Sequence, residues 1–345
     1  MTTQTLKNWN TMALGKIADI TSSKRIFASD YVSQGVPFYR SREIIEKQEG
    51  NDISTKLYIS KEKYESIKNK FGVPKQNDIL ITSVGTLGIP YVVKASEVFY
   101  FKDGNLIWIR NLDQEQVIPK FIYYLILNPE TQQRLKGISI GSSQGAFTIS
   151  AIKDFKIGLP PLSTQKLIAD VLSTYDDLIE NNTRRIQILE QIAQATYTEW
   201  FVNFRFPGHE KVKMIDSGTD FGKIPEGWEI KKIKDFGSVI TGKTPSKSDP
   251  SNFGSDIPFI KTPDLHGKIF CIETSESLSV KGANTQKNKT LPPKTLVVSC
   301  IGTLGVVGIT SSEAQTNQQI NAVILADQKY LEYLYFVLVN LKQEL

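Results

Sequence analysis

The sequence is poor in the side chains on which much catalysis and most extracellular stapling depend. Among 345 residues it has two cysteines, Cys271 and Cys300, and two histidines, His209 and His266. The cysteines fall in no metal-ligand or redox spacing, and so sparse a set fits a reducing cytoplasm better than a disulfide-stapled secreted chain. Two histidines cannot build a His-rich metal site, and they leave the many serines without an evident base. No apolar run approaches the roughly 18–20 residues of a membrane span, and the opening MTTQTLKNWN lacks a hydrophobic signal core. The expectation is a cytoplasmic protein with no membrane association. Also absent are a Gly-x-x-x-x-Gly-Lys-Ser/Thr phosphate loop, an Asn-Pro-Pro-aromatic methyltransferase motif and a Gly-rich cofactor loop between strand and helix. Asn128-Pro129-Glu130 lacks the second proline and the aromatic. No catalytic residue, no metal and no resident cofactor are expected.

What is present is an ordinary globular balance, 40% hydrophobic and 22% charged, in a chain long enough for two domains. The net charge of +5 is unevenly spread. Residues 164–200 hold three basic side chains, Lys166, Arg184 and Arg185, against six acidic ones, Asp170, Asp176, Asp177, Glu180, Glu190 and Glu199. That segment carries −3 and the remainder +8, so a polyanion is repelled by the middle and attracted by the flanks.

The chain also repeats itself once. Leu14, Ile17 and Ile20 match Ile233, Phe236 and Val239 at an offset of 219. Residues 36–44 (VPFYRSREI) match 257–265 (IPFIKTPDL), and 79–89 (ILITSVGTLGI) match 296–306 (LVVSCIGTLGV). Residues 105–109 match 321–325, and 119–125 resemble 328–334. Five blocks in one order with drifting offsets mark two diverged copies of one fold. Each copy reads as mixed α/β. Residues 79–82 and 296–299 read as buried strands, each followed by a Gly-Thr-Leu-Gly turn. Residues 121–127 and 330–339 read as short Tyr/Leu-rich helices, the first interrupted by Pro129.

Between the copies, Pro160-Pro161 ends one element and Ser163 is placed to cap a helix from Thr164. No proline or glycine follows until Pro207-Gly208, and apolar residues recur in heptads. One seam is Leu172, Ile179, Ile186, Ala193 and Trp200; the other is Ile168, Tyr175, Asn182, Leu189 and Thr196. A helix of about 38 residues is about 57 Å long, the dimension of a coiled-coil arm. Asn182, mid-seam, either fixes register or is a solvated residue on an imperfect seam. The expected architecture is mixed α+β: one domain over 1–159, a long helix over 160–207, and a second, related domain over 208–345.

The run GLPPLSTQKLIADVLSTYDDLIENNTRRIQILEQIAQATYTEWF resembles the central region of type I restriction–modification specificity subunits. The Leu-Pro-Pro-Leu, the glutamine after it, the Asp-Asp-Leu-Ile-Glu-Asn-Asn stretch and the trailing aromatic block carry the likeness. The repeated tryptophan-led opening, the Val/Ile-Pro-Phe block and the Gly-Thr-Leu-Gly block resemble that family's target recognition domains. The resemblance implies two domains that each read half of a bipartite double-stranded DNA sequence. It implies a helix that spaces them and docks methyltransferase subunits, which bind S-adenosylmethionine and methylate adenine. A motor-nuclease subunit joins through the complex, and the specificity chain itself is non-catalytic. From the repeat, a further stretch of roughly 65 residues, including a second long helix, is expected after the point matching Leu345. Without that helix the exposed seam is expected to need another partner, self-association being one.

Candidate DNA contacts follow from side chains able to reach phosphates and groove edges. In the first copy they are Lys24, Arg25, Arg40, Ser41, Arg42, Thr86, Ser142, Ser143 and Gln144. In the second they are Lys243, Thr244, Lys261, Thr262, Asp264 and Thr303. Solvated loops, a solvated strand edge at Arg40 and Arg42, structural turns at Thr86 and Thr303, and a flexible connector at residues 142–144 are the competing readings. Tyr175, Leu178, Asn182 and Ile186 are the candidate partner surface, with intramolecular packing as the alternative. Two other functions compete: a self-contained methyltransferase or nuclease, disfavoured by the missing motifs, and a solo or partial specificity protein acting as a protein-interaction scaffold.

Overall fold

The computed structural model describes residues 9–141 and 145–341. The chain divides into two compact units, Met1–Gln187 and Ile188–Leu345, and the division falls within the long helix.

In the first unit the apolar run Ile79–Thr82 is a fully buried central strand. It pairs antiparallel with Leu106–Arg110 on one side, Leu80 opposite Trp108, and with Pro90–Val92 on the other. Asp19–Thr21 closes the far edge. A second, smaller sheet is built from Tyr31–Val32, Tyr58–Ile59, Val36–Tyr39 and Tyr100–Phe101, the last pair running parallel. The helix Pro119–Leu127 contributes Phe121, Ile122 and Ile126 to the main core with Ile79, Ile81, Ile107 and Ile109. Burying each such side chain contributes about 1.5–3 kcal/mol. Pro129 does not simply interrupt this helix. Asn128 caps a new one, Pro129–Gly137, by accepting the Glu130 N–H at 3.0 Å. Asn10–Ala13 and Lys156–Leu159 form an antiparallel pair that joins the start of the unit to its end.

The second unit repeats the two sheets of this plan. Gly237–Thr241, Ile320–Leu325, Leu296–Ser299 and Val307–Thr310 occupy the same order in the main sheet, with Phe270–Cys271 added at its edge. Phe253–Gly254, Ser277–Leu278, Ile257–Ile260 and Gln315–Thr316 reproduce the smaller sheet, including its one parallel pairing. The helix Leu331–Leu341 buries Leu331, Leu334 and Leu338 against the main sheet, beside Leu296, Val307, Ile309 and Val323.

The long helix spans Leu162–Tyr197, 36 residues, and continues as a π-helical turn over Thr198–Val202. It begins before Ser163, which lies inside it, so the expected serine cap is not the cap that forms. Of the heptad seams, Ile168 packs against the main core of the first unit, and the fully buried side chains of the docking face lie off the seams. Gln165, Ala169 and Ser173 are its buried residues. The Gln165 carboxamide accepts the Ile118 N–H at 3.0 Å and donates to the carbonyls of Gln116 and Pro160 at 3.0 and 2.9 Å. Tyr124 Oη donates to Asp176 at 2.6 Å, and Lys94 pairs with Glu180 at 2.9 Å. In the second unit, Tyr197 and Phe201 enter an aromatic cluster with Tyr333 and Phe336, ring centroids 4.8–6.1 Å apart.

Candidate nucleic-acid interface

Three of the loci expected in the first unit converge on residues 103–106, the turn leading into the strand Leu106–Arg110. Ser22 Oγ, just before Lys24 and Arg25, donates to the Leu106 carbonyl at 2.9 Å. Ser41 Oγ donates to the Asn105 carbonyl at 3.0 Å, and the Ser83 N–H, ahead of the Thr86 turn, donates to the same oxygen at 2.9 Å. Arg25 also pairs with Asp103 at 3.0 Å. The elements carrying Lys24, Arg25, Ser41, Arg42 and Thr86 are thus tied to one edge of the unit. Residues 316–321 do the same work in the second unit. Gly242 and Lys243 N–H groups donate to the carbonyls of Ile320 and Thr316, the Cys300 N–H to that of Gln319, and Thr244 Oγ1 to Gln318 Oε1.

The glycine turns have matching geometry. Gly85 and Gly88 adopt φ of 73° and 79°, and Gly302 and Gly305 adopt 82° and 69°. These are left-handed values that glycine reaches without Cβ strain. Thr82 Oγ1 accepts the Ile89 N–H, and Ser299 Oγ accepts the Val306 N–H, both at 2.9 Å. Thr86 and Thr303 stand exposed at the tips.

The segment after the Val/Ile-Pro-Phe strand departs from expectation. Arg40 and Arg42 are not on a strand edge: Ser41–Gln48 is a helix capped by Glu43, which accepts the Arg40 N–H at 2.7 Å. The Glu43 carboxylate is fully buried, and it also takes the Arg40 guanidinium at 2.6 Å. Arg40 is thereby engaged inside the fold, whereas Arg42 remains exposed with Glu46 at 3.8 Å. In the second copy Asp264 caps Thr262–Leu265 by accepting the Lys261 N–H at 2.8 Å and reaches the Ser275 N–H at 2.9 Å. Asp264 and Thr262 are buried, and Lys261 pairs with Glu276. The cap and the Ser275 N–H engage the Asp264 carboxylate, Glu276 engages the Lys261 ammonium, and the Thr262 hydroxyl is buried without a hydrogen-bond partner. Ser142, Ser143 and Gln144 lie outside the described residues.

Tyr175, Leu178, Asn182 and Ile186 are all exposed, three of them among the large apolar side chains open to solvent. Leu167, Val171, Leu172, Ile179, Leu189 and Ile192 extend the same apolar surface along the helix.

Sequence reasoning missed one pair of features. Asp30 holds Lys63 at 3.2 Å, and Asp249 holds Lys281 at 2.9 Å. Accepting the Phe27 N–H and pairing with Lys63 hold the Asp30 carboxyl below its ordinary range. The Ser251 hydroxyl, with Lys281, pushes that of Asp249 down to about 2. The offset of 219 that relates Ile20 to Val239 also relates Asp30 to Asp249, so the signal was in the repeat.

Comparison with known proteins agrees with this internal symmetry. A family model described as "Type I restriction modification DNA specificity domain" matches residues 6–191 and 225–345. The type I restriction enzyme HindI specificity subunit of Haemophilus influenzae is 32% identical over 326 residues, covering 78% of this chain and 70% of that protein. The MjaIX specificity subunit of Methanocaldococcus jannaschii is 31% identical over 221 residues, covering 64% of this chain and 49% of that one. The crystal structure of a type I restriction–modification system S subunit from M. genitalium aligns with a TM-score of 0.57 at 16% identity, covering 98% of this chain and 78% of that one. At that identity the likeness is one of fold.

Proposed function

Because the chain belongs to the type I restriction–modification specificity family, as a family match over both copies of its repeat establishes, we propose that it reads a bipartite double-stranded DNA sequence, one half through each unit. It is a non-catalytic component of such a system. The observation that carries the reading is the duplicated edge. In both units the basic segment after the first strand and the glycine turn are fastened to the same sheet connection, so each unit presents one equivalent surface. Cations there neutralise phosphate, and neighbouring polar groups reach base edges.

The exposed apolar face around Tyr175, Leu178, Asn182 and Ile186 is where methyltransferase subunits dock. In that assembly S-adenosylmethionine is held by the methyltransferase, which transfers its methyl group to adenine, and a motor-nuclease subunit joins to cut unmodified DNA in the cytoplasm. This chain positions the DNA and supplies no reacting group. The test is selection from a pool of randomised duplexes, using the full chain co-purified with its methyltransferase subunits. Enrichment of two short sequences separated by an unread gap supports the proposal. Equal retention of all duplexes would sink it.

A further inference from the structure

Resting on that DNA-reading function, we propose that residues 24–30 and 243–249 are one recognition loop present twice, with a shared clamp and divergent tips, so that Arg25 and Phe27 in the first unit and Thr244 and Ser246 in the second determine which bases each half-site requires.

The two segments align without a gap at the offset of 219, and their burial follows the same order. Ser23 and Gly242 are buried, as are Ile26 and Pro245; Lys24 and Lys243 are exposed, as are Phe27 and Ser246. The backbone is anchored on the same strand of the smaller sheet in each unit. The Lys24 N–H donates to Tyr100 Oη at 2.7 Å, and the Lys243 N–H donates to the Thr316 carbonyl at 2.9 Å. In the second unit Gln286 adds a donor to the Lys243 carbonyl at 2.7 Å.

Each loop ends on the aspartate clamp. Lys63 comes from the first turn of the helix Lys61–Phe71, whose cap is Ser60, and Lys281 from the first turn of Val280–Asn284, whose cap is Ser279. Both caps follow the strand that pairs with the one after the loop. Anchor, clamp and cap therefore recur as a unit. A loop fixed at both ends has little ordering entropy left to lose on binding, which favours tight and selective contact.

The framework recurs, but the tip does not. Where one copy has Arg25 and Phe27, the other has Thr244 and Ser246. Phe27 is 61% exposed, with no packing reason for an aromatic ring to stand in water. Three residues earlier, Lys24 Nζ lies 4.9 Å from the centre of the exposed Phe71 ring, a cation set on an apolar surface. Arg25 spends Nε on Asp103, but its side chain is 69% exposed, unlike Arg40 on the buried Glu43; the combination suits base edges between phosphates, arginine to guanine and an aromatic ring to a thymine methyl. The serine and threonine of the second loop are small hydroxyl readers with different preferences; in the free protein Thr244 Oγ1 donates to Gln318 Oε1 and Ser246 Oγ bonds Ser248 Oγ, and reading a base edge exchanges those partners. The shared lysine supplies the phosphate contact common to both halves.

The experiment uses the full chain with its methyltransferase subunits and the duplexes that the wild-type complex enriches from a randomised pool. Grafting the second tip onto the first, R25T/F27S, is expected to change the preference in one half-sequence and leave the other intact. Affinity for the wild-type duplex should fall roughly 10- to 100-fold, the scale of losing one or two base contacts. The reciprocal graft, T244R/S246F, is expected to change the opposite half, so a folding defect in one variant leaves the other to decide. Asp30→Asn, a positioning change, should weaken binding several-fold without altering which bases are preferred. Grafts that assemble normally, keep both preferences and bind within twofold of wild type overturn the loop assignment alone. A wild-type complex that enriches no sequence overturns the DNA-reading function and the loop with it.

Discussion

Individual carboxylates decide how the candidate interface is held. Glu43 has no exposed surface, yet it accepts both the Arg40 N–H and the Arg40 guanidinium. Removing it deletes a helix cap and leaves a guanidinium without its counter-charge. Glu43→Ala is therefore expected to destabilise the first unit by about 1–3 kcal/mol, read as a lower urea midpoint at unchanged slope. Asp249 shows the opposite case, an exposed carboxyl whose ionised form is favoured by the Ser251 hydroxyl first and by Lys281 next. Its value falls from 3.8 to about 2, so the clamp is fully formed above pH 4 and loosens only as pH drops through about 2. A carboxyl carbon titration by NMR should find Asp249 still ionised at pH 3; a midpoint near 4 would contradict the clamp.

At the scale of elements, the long helix has two faces with different tasks. The buried face is polar and small, Gln165, Ala169 and Ser173, and Gln165 alone satisfies a backbone N–H and two carbonyls. Gln165→Leu keeps the volume and abandons all three partners, so it should cost about 3 kcal/mol of stability in the first unit; thermal melting checks this. The outward face carries most of the heptad seams. Leu178 and Ile186 are 52% and 55% exposed, so Leu178→Asp with Ile186→Asp should leave the melting temperature nearly unchanged. The same pair should abolish co-purification of methyltransferase subunits, since buried charge without a partner is costly at an interface. Undiminished co-purification would move the docking surface elsewhere.

For the whole molecule, charge distribution sets the response to salt. The flanks carry +8 against −3 on residues 164–200. If the two units together neutralise six or more phosphates, raising salt from about 50 to 200 mM should lower DNA affinity roughly a thousandfold or more. A slope near zero in a log–log plot of affinity against salt is the contrary result. The central helix should contribute nothing to that slope, because its acidic side chains repel the polyanion.

Much of this is legible in the amino-acid sequence. Blocks of matched apolar residues fixed the duplication, since a strand such as 79–82 keeps its buried character only if its neighbours in the sheet recur with it. The uninterrupted heptads fixed the long helix, and the unlike composition of helix and flanks fixed which part repels DNA. Tertiary structure decided the rest, because it depends on atoms far apart in sequence. Arg40 and Asp264 read as DNA contacts until buried caps claimed them. The heptads left the partner surface and intramolecular packing as competing readings of the helix, and only the burial of Gln165, Ala169 and Ser173 shows which side faces the first unit. The aspartate–lysine clamps join residues more than thirty positions apart. Periodicity and composition report which residues prefer water; which hydrogen-bond partner a polar side chain finds is settled only when the chain closes around it.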